Sequence, residues 1–511
     1  MTLSSVGTPI AGGQTHMETN SAIERIGLII DGAVVPGDKG TYPVTNPARP
    51  AEVVFDAPAV SSAQLDAAVV AARRSFRGWA ARTMDDRAAV VIAAASAGVA
   101  AVEQHDLARL LTREHGKVYW EAVFDAGTMA GMASGFAPLV AEALQGRSHN
   151  VGATKVEWEP HGVVGAILPF NWPVSVMANK VLPALLSGNT IVIKVPPTCP
   201  GTVLLVAAAM AEVLPPGVLN VVNGPEAALG ASLVAHPDVN MVSFTGGVPT
   251  GRAVMAAASN TTRPVVLELG GNDAAILAPD VEVDAGLASR LVEAAFVTSG
   301  QVCMAIKRLY VHRDRMTATV DALIDRLSEE VVGDGLVDGV TMGPVHLASS
   351  RHRVESFIAD AEHGGAKVHR PGRLRAEDAD SGGYWVSPAL VESPDPRARI
   401  VCEEQFAPAL PILVYDDIDD AVRDANDTSF GLCASIWSND ERTTSDIARQ
   451  LEAGTVFINT HGLSAIDMQA PMGGWKQSGF GVELGPEGVR EFARQRVVIS
   501  HGAPNGGGTS S

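Results

Sequence analysis

The sequence predicts an α/β fold of two doubly wound parallel-sheet domains with a small β arm. From Val163 onward, short apolar runs alternate with helical patterns, which is how a parallel sheet covered by helices reads. The alternation begins again after Asn272 and runs to about residue 468. At 511 residues the chain exceeds what one typical core accommodates, and no internal repeat or long linker separates the two units. The arm is expected where residues 154–160 alternate polar and apolar, and where the apolar tail 497–499 follows.

Taken in order, residues 27–32 run into Gly and Asp turn signals and predict a strand and hairpin. Ala-rich helical patterns follow over 63–79 and 84–114, the first preceded by Ser61 or Ser62 as a cap and the second closed by Gly116. Residues 119–145 continue this helical layer. The first sheet is expected from 163–168, 190–195, 218–222, 239–244 and 264–269, with helices over 201–213, 227–234 and 251–258. A nucleotide would sit at the carboxyl ends of these strands. The Gly-x-Gly-x-x-Gly fingerprint is absent. Gly246 to Gly251 instead joins a strand to a helix, so the backbone can approach a ligand and the helix N-terminus can offer amides to a pyrophosphate. Gly479-Phe-Gly481 follows no such strand and reads as a tight turn. The second unit is expected to hold a helix over 317–331, a polar surface stretch near 371–383, a strand over 409–415, a turn at 425–431 and a strand over 454–459. The tail 497–499 is expected to pair with another subunit.

A net charge of −19 argues against nucleic acid or an anionic membrane as partner, since both require a basic surface. No uninterrupted apolar run reaches membrane length, and the first twenty residues lack the pattern of a signal peptide. The 4 cysteines, Cys199, Cys303, Cys402 and Cys433, lie far apart with no Cys-x-x-Cys pair and no metal-ligand spacing of histidines. Neither a disulfide framework nor a metal site is expected, and a reducing cytoplasm fits. Residues 1–24 and 502–511 read as tails.

The chemistry gathers at Phe-Val-Thr-Ser-Gly-Gln-Val-Cys-Met, ending on Met304. Gly and small residues there let the backbone turn, and a Cys303 thiolate would be a far better nucleophile than nearby oxygens. Alone, a cysteine is usually a small buried hydrophobe. Glu268 in Leu-Glu-Leu-Gly-Gly and Asn171 in Pro-Phe-Asn-Trp-Pro add a base and an amide donor, each in a segment punctuated by Gly or Pro. A carboxylate in an apolar strand is costly and needs a reason.

With these segments, Lys194 at the end of an apolar run, Phe244-Thr-Gly-Gly-Val-Pro-Thr-Gly251, Glu403-Glu-Gln-Phe406 and Pro471-Met-Gly-Gly-Trp-Lys-Gln-Ser-Gly479 stand in one register. In that order they resemble the NAD(P)-dependent aldehyde dehydrogenase superfamily over about residues 25–500. The resemblance implies a cofactor-binding domain over 25–148 and 162–270, an oligomerisation arm over 149–161 and 486–501, and a catalytic domain over 271–485. It implies Asn171, Glu268 and Cys303 as catalytic residues. Phe170, Lys194, Gly246, Gly247, Gly251, Leu269, Gly270, Glu404 and Phe406 would hold the cofactor. Trp172, Ser175, Val176, Asn179, Val302, Met304 and Met472 would line the aldehyde tunnel, with Ser175 and Asn179 offering polar contacts to an aromatic or functionalised aldehyde. His461 and the other histidines sit in no constellation. The assembly implied is a homodimer or homotetramer.

Departures from the family pattern bear on the cofactor. Many members have Trp where Phe170 stands, Ser where Gly247 stands, and Glu where Pro197 stands. Each loss removes a polar contact, and the missing Glu also removes a repulsion toward a 2'-phosphate, so NADP stands beside NAD. The expected reaction is attack of Cys303 on an aldehyde, hydride loss to NAD(P)+, and hydrolysis of a thioester by water that Glu268 activates. The same parts also suit a cofactor-independent thiol esterase, or a catalytically idle structural relative.

Overall fold

The computed structural model describes residues 21–145, 149–151 and 154–500. The tails expected over 1–24 and 502–511 lie outside the described residues except for 21–24, where Ala22 is buried in the core.

Apolar, β-branched runs too short for helices form a first, 8-stranded sheet. Its order is Ala33–Val35, Leu28–Ile30, Leu219–Val222, Thr190–Lys194, Val163–Ile167, Met241–Thr245, Val265–Glu268, Gly479–Phe480. The strands from Leu219–Val222 to Val265–Glu268 run parallel and are buried on both faces. The chain moves outward from Val163–Ile167 through Thr190–Lys194 to Leu219–Val222, then returns to the opposite side at Met241–Thr245. Strand order therefore reverses between Val163–Ile167 and Met241–Thr245. A doubly wound sheet opens a ligand crevice at that point, beyond the carboxyl ends of the strands.

A second, 7-stranded sheet runs Lys367–His369, Ala389–Glu392, Ala409–Tyr415, Ile306–His312, Asp273–Leu277, Cys433–Trp437, Thr455–Ile458. Only its first strand is antiparallel to its neighbour. The segment that carries Cys303 enters this sheet through Ile306–His312. The loops after Val163–Ile167 and Val265–Glu268 reach it from the first sheet.

The sequence-based elements differ from the structure in informative places. The pattern over 84–114 is two helices, Met84–His105 and Leu107–His115, because Asp106 takes a left-handed backbone (φ 46°) and its carboxylate caps the second helix at Arg109 N. Ser61 caps Ser62–Ala80 in a reciprocal arrangement with Gln64. Gly479–Phe480, expected as a turn, is an antiparallel edge strand against Val265–Glu268. A side chain at Gly479 would meet the Leu267 carbonyl at 2.6 Å, so only glycine permits that approach. The hairpin of Thr41–Asn46 with Arg49–Pro58 was not anticipated. Within the polar stretch near 371–383, Asp378 is buried, accepting the Asp334 amide and pairing with Arg375.

The arm also differs. Thr154–Pro160 and Ala493–Ile499 were each expected to seek another subunit, yet they pair with one another along their whole length, with His149–Val151 on the far side. Among the described residues the outer edge of Ala493–Ile499 stays open, and Val497, Val498 and Ile499 on it are exposed. Among the described residues, Met84–His105 alone has the length and apolarity to cross a membrane. Its first turn carries Asp85, Asp86 and Arg87, and it packs against Tyr119–Val140 and Gly201–Ala211.

Candidate active site

After the helix Ala285–Phe296 the chain turns sharply through Thr298, Ser299 and Gly300, whose φ angles are 53°, 54° and 70°. Two non-glycine residues in this region are strained and persist only where surroundings over-determine them. The surroundings do so. Thr298 N donates to Glu121 Oε1 (2.6 Å), Ser299 Oγ to the Gly343 carbonyl (2.8 Å), and Gln301 Oε1 accepts from His346 N (2.9 Å). Asn171 Nδ2 donates to the Gln301 carbonyl (2.9 Å), and Lys307 Nζ donates to the carbonyls of Val302 (2.7 Å) and Cys303 (2.6 Å). Gly300 is obligatory, since a side chain would press on the Ala407 carbonyl at 2.5 Å. The outcome is a loop, held by these bonds and by the Asn171 amide at Gln301, that leaves Cys303 partly exposed.

Glu268 ends the strand Val265–Glu268 and faces the Cys303 thiol. Burial first and the Glu483 carboxylate second push Glu268 up to about 8, while contact with Cys303 and the Lys180 ammonium pull the other way. Its Oε1 is buried without a hydrogen-bond partner among the described residues, an orphan that a water or substrate group would satisfy. Behind it, buried Lys180 donates to Glu483 Oε1 (2.7 Å) and Ser243 Oγ (3.0 Å). Sequence reasoning missed Lys180 and Glu483. The available signal was a lone lysine inside the otherwise apolar helix Pro173–Leu186, because such a lysine requires a buried partner.

Around the reversal point the expected cofactor residues converge. Phe170 follows Val163–Ile167, Lys194 ends Thr190–Lys194, Gly246 and Gly247 follow Met241–Thr245, and Leu269 and Gly270 follow Val265–Glu268. Gly247 is the N-cap of Val248–Ser259 and supplies no side-chain cap, which leaves that helix's amides free for an anion. A Cβ at Gly251 would displace the Leu269 side chain, and one at Gly270 would displace the Glu404 carboxylate. Burial lowers Lys194 to about 8, and among the described residues no carboxylate pairs with it. Phe406 holds a left-handed backbone (φ 49°), unusual for a bulky residue, and its ring meets Phe170 edge-on at 5.9 Å. Phe170 stacks on His346 at 4.6 Å. A helix N-terminus without a side-chain cap, a half-buried ammonium with no carboxylate partner among the described residues, and glycine-lined walls fit a dinucleotide.

A small cavity is walled by Trp120, Phe124, Trp172, Val302 and Met304, the last two flanking Cys303 in the chain. Phe124 meets Trp172 edge-on at 5.9 Å, and the Lys117 ammonium sits 4.0 Å from the Trp172 ring. Val176 and Met472 pack in the same apolar cluster as Cys303. Ser175 is turned elsewhere: its hydroxyl donates to Asp125 Oδ1 (2.8 Å). Asn179 is half-buried and outside the cavity wall, and its Oδ1 has no hydrogen-bond partner among the described residues. The wall also carries Glu293 and Ser464, which the sequence did not single out, and His461, which it expected to sit in no constellation. His461 stands in a constellation after all, with Nδ1 against Ser435 Oγ (2.9 Å) and Nε2 3.6 Å from Asp273.

The sequence model described as the Aldehyde dehydrogenase family matches residues 34–498. Geranial dehydrogenase of Castellaniella defragrans is 36% identical over 457 residues, covering 88% of this chain and 93% of that protein. The crystal structure of betaine aldehyde dehydrogenase from Staphylococcus aureus in complex with NAD+ is 31% identical, with a TM-score of 0.87 and coverage of 94% of this chain and 95% of that one. An NADP-dependent enzyme of E. coli superposes with a TM-score of 0.86 at 31% identity, covering 94% and 98%.

Proposed function

The chain belongs to the aldehyde dehydrogenase family and is an NAD(P)-dependent aldehyde dehydrogenase, and we propose that Cys303 is its nucleophile, Glu268 its base and Asn171 its oxyanion donor. The observation that carries this reading is the Cys303 thiol facing the Glu268 carboxyl on a loop that the Asn171 amide also touches. The thiol adds to the aldehyde carbonyl. The Asn171 side-chain amide and the Cys303 N–H hold the developing oxyanion, where loss of one donor costs on the order of 100- to 1,000-fold in rate. When bound in the crevice, NAD(P)+ supplies the hydride acceptor. Glu268 then takes a proton from the water that cleaves the thioester, releasing the carboxylate and the Cys303 thiol.

Residues 25–148 and 162–270 hold the cofactor in this reading, 271–485 carry the nucleophile, and 149–161 with 486–501 join subunits. Lys194 and Glu404 would bind ribose hydroxyls, the amides after Gly247 the pyrophosphate, and Phe406 the nicotinamide face. The apolar, aromatic-lined cavity suits an aromatic or medium-length aldehyde. A homodimer or homotetramer is supported by two open strand edges that carry exposed apolar side chains, Ala493–Ile499 and Thr455–Ile458 with Ile458. The free cysteines accord with the cytoplasm. Mixing the protein with NAD+ or NADP+ and benzaldehyde while following absorbance of the reduced cofactor tests the reaction. Activity that survives Cys303→Ala would remove Cys303 from it.

A further inference from the structure

Lys307 is 2% exposed, and its ammonium is committed to the nucleophile loop. It donates to the carbonyls of Val302 (2.7 Å) and Cys303 (2.6 Å) and lies 3.4 Å from that of Ala305. The carboxylate beside it is Glu404, 3.8 Å away, and Glu404 also accepts the Gly271 amide. The Lys307 carbonyl in turn accepts from Gln405 Nε2 at 3.1 Å, which fixes its backbone. A neutral donor would satisfy the same carbonyls without the cost of burying a charge. The charge therefore calls for a use.

We propose that Lys307 is a positioning residue for Cys303, holding the carbonyls of the loop on one side of the thiol and supplying the fixed positive charge that favours the thiolate. The proposal rests on reading Cys303 as the nucleophile. Burial first, then the Glu268 carboxylate, push the Cys303 thiol up, and Lys307 pulls it down. The groups around the pair come from separate elements. Glu268 ends Val265–Glu268, Cys433 begins Cys433–Trp437 with Asp273 beside it, and Glu404 approaches Lys307 from the loop after Arg399–Cys402. Among these, Lys307 is the cation that acts directly on the thiol. Ionising the thiol passes its proton to solvent, or to Glu268 where that carboxyl is itself ionised, and leaves a sulfur anion that Lys307 offsets.

The test separates charge from hydrogen bonding. Lys307→Gln keeps a donor for the carbonyls and removes the charge, whereas Lys307→Arg keeps both. Iodoacetamide alkylation of the intact, cofactor-free protein is followed across pH on the Cys303 peptide by mass spectrometry, because Cys402 is also exposed. Lys307→Gln is expected to move the alkylation midpoint to higher pH and slow the reaction at pH 7 by about tenfold, and Lys307→Arg to stay near wild type. A folded Lys307→Gln protein with the wild-type pH profile overturns the proposal. If that variant does not fold, Glu404→Gln is used, which should speed alkylation at pH 7 by relieving Lys307 of its counter-charge; an unchanged rate overturns it. Dehydrogenase activity in Cys303→Ala would sink the nucleophile assignment instead, a result distinct from either.

Discussion

The Glu121 carboxylate accepts the Thr298 amide at 2.6 Å while Thr298 holds a left-handed backbone, so a helix start in one layer clamps the turn that precedes Cys303. Glu121 also accepts the Val118 amide at 3.3 Å, and both amides are buried. Burial pushes Glu121 up to about 7, against the pull of Lys117 and these amides. Glu121→Ala leaves two donors unsatisfied. It should lower stability by about 2 to 4 kcal/mol, read from denaturant midpoints, and lower kcat more than it raises KM for cofactor, because the loop drifts from Asn171. A variant with full kcat would show that the turn needs no clamp.

Glu268, held at about 8, is largely protonated at neutral pH and becomes a base only as pH rises through that value. Turnover limited by deacylation should therefore climb between about pH 7 and 9. Glu268→Gln should flatten that rise and give a burst of reduced cofactor followed by a steady state slower by about 100-fold or more. Stopped-flow absorbance reads both. A Gln variant with no burst and an unaltered pH profile would place the base elsewhere.

Gly247 offers room that the chain does not use. Its backbone (φ −69°, ψ 147°) suits any residue, and a Cβ there would meet nothing nearer than Pro249 Cδ at 3.9 Å. Gly247→Ser should restore one hydrogen bond to the cofactor's pyrophosphate, worth about 0.5 to 1.5 kcal/mol, and tighten NAD+ by up to about tenfold. Titration calorimetry measures the change. Equal affinities would mean that backbone amides already saturate the anion.

Much of this site was legible because its parts carry local signals. Cys303, Glu268 and Asn171 sit in short segments that Gly or Pro punctuates, and the central strands are apolar runs that admit no other reading. Other features depend on partners remote in sequence. Lys180 and Glu483 meet across 303 positions, and the Ser175 hydroxyl turns to Asp125 instead of the tunnel because a neighbouring helix brings that carboxylate within 2.8 Å. The break at Asp106 was hidden for another reason: helical periodicity passes through it, and a left-handed cap leaves little trace in the pattern. The pairing of the arm strands was likewise invisible, since two open edges look alike until one covers the other.

The open edge of Ala493–Ile499 carries Val497, Val498 and Ile499, exposed by 57%, 43% and 63%. An apolar, unpaired edge invites another strand. Light scattering of the wild type should give a dimer or tetramer, and Val498→Lys together with Ile499→Lys should shift it toward the single chain. A monomeric wild type at micromolar concentration would contradict the assembly.

Substrate preference should follow the aromatic mouth and ignore Ser175. Phe124 is 42% exposed and lies edge-on to Trp172, so its removal leaves the core intact while opening the cavity on one side. Aromatic pairs contribute about 0.5 to 1.5 kcal/mol beyond the area they bury, and the lost apolar contact adds to this. Phe124→Ala should therefore lower kcat/KM for benzaldehyde and hydroxybenzaldehyde by about tenfold and leave acetaldehyde nearly unchanged. Ser175→Ala should preserve the ranking of all three, because the hydroxyl already serves Asp125 and has no bond to give a substrate. Acetaldehyde as the best wild-type substrate, or a reordered ranking in Ser175→Ala, would show that the aldehyde runs along the Ser175 helix and not beneath Trp172.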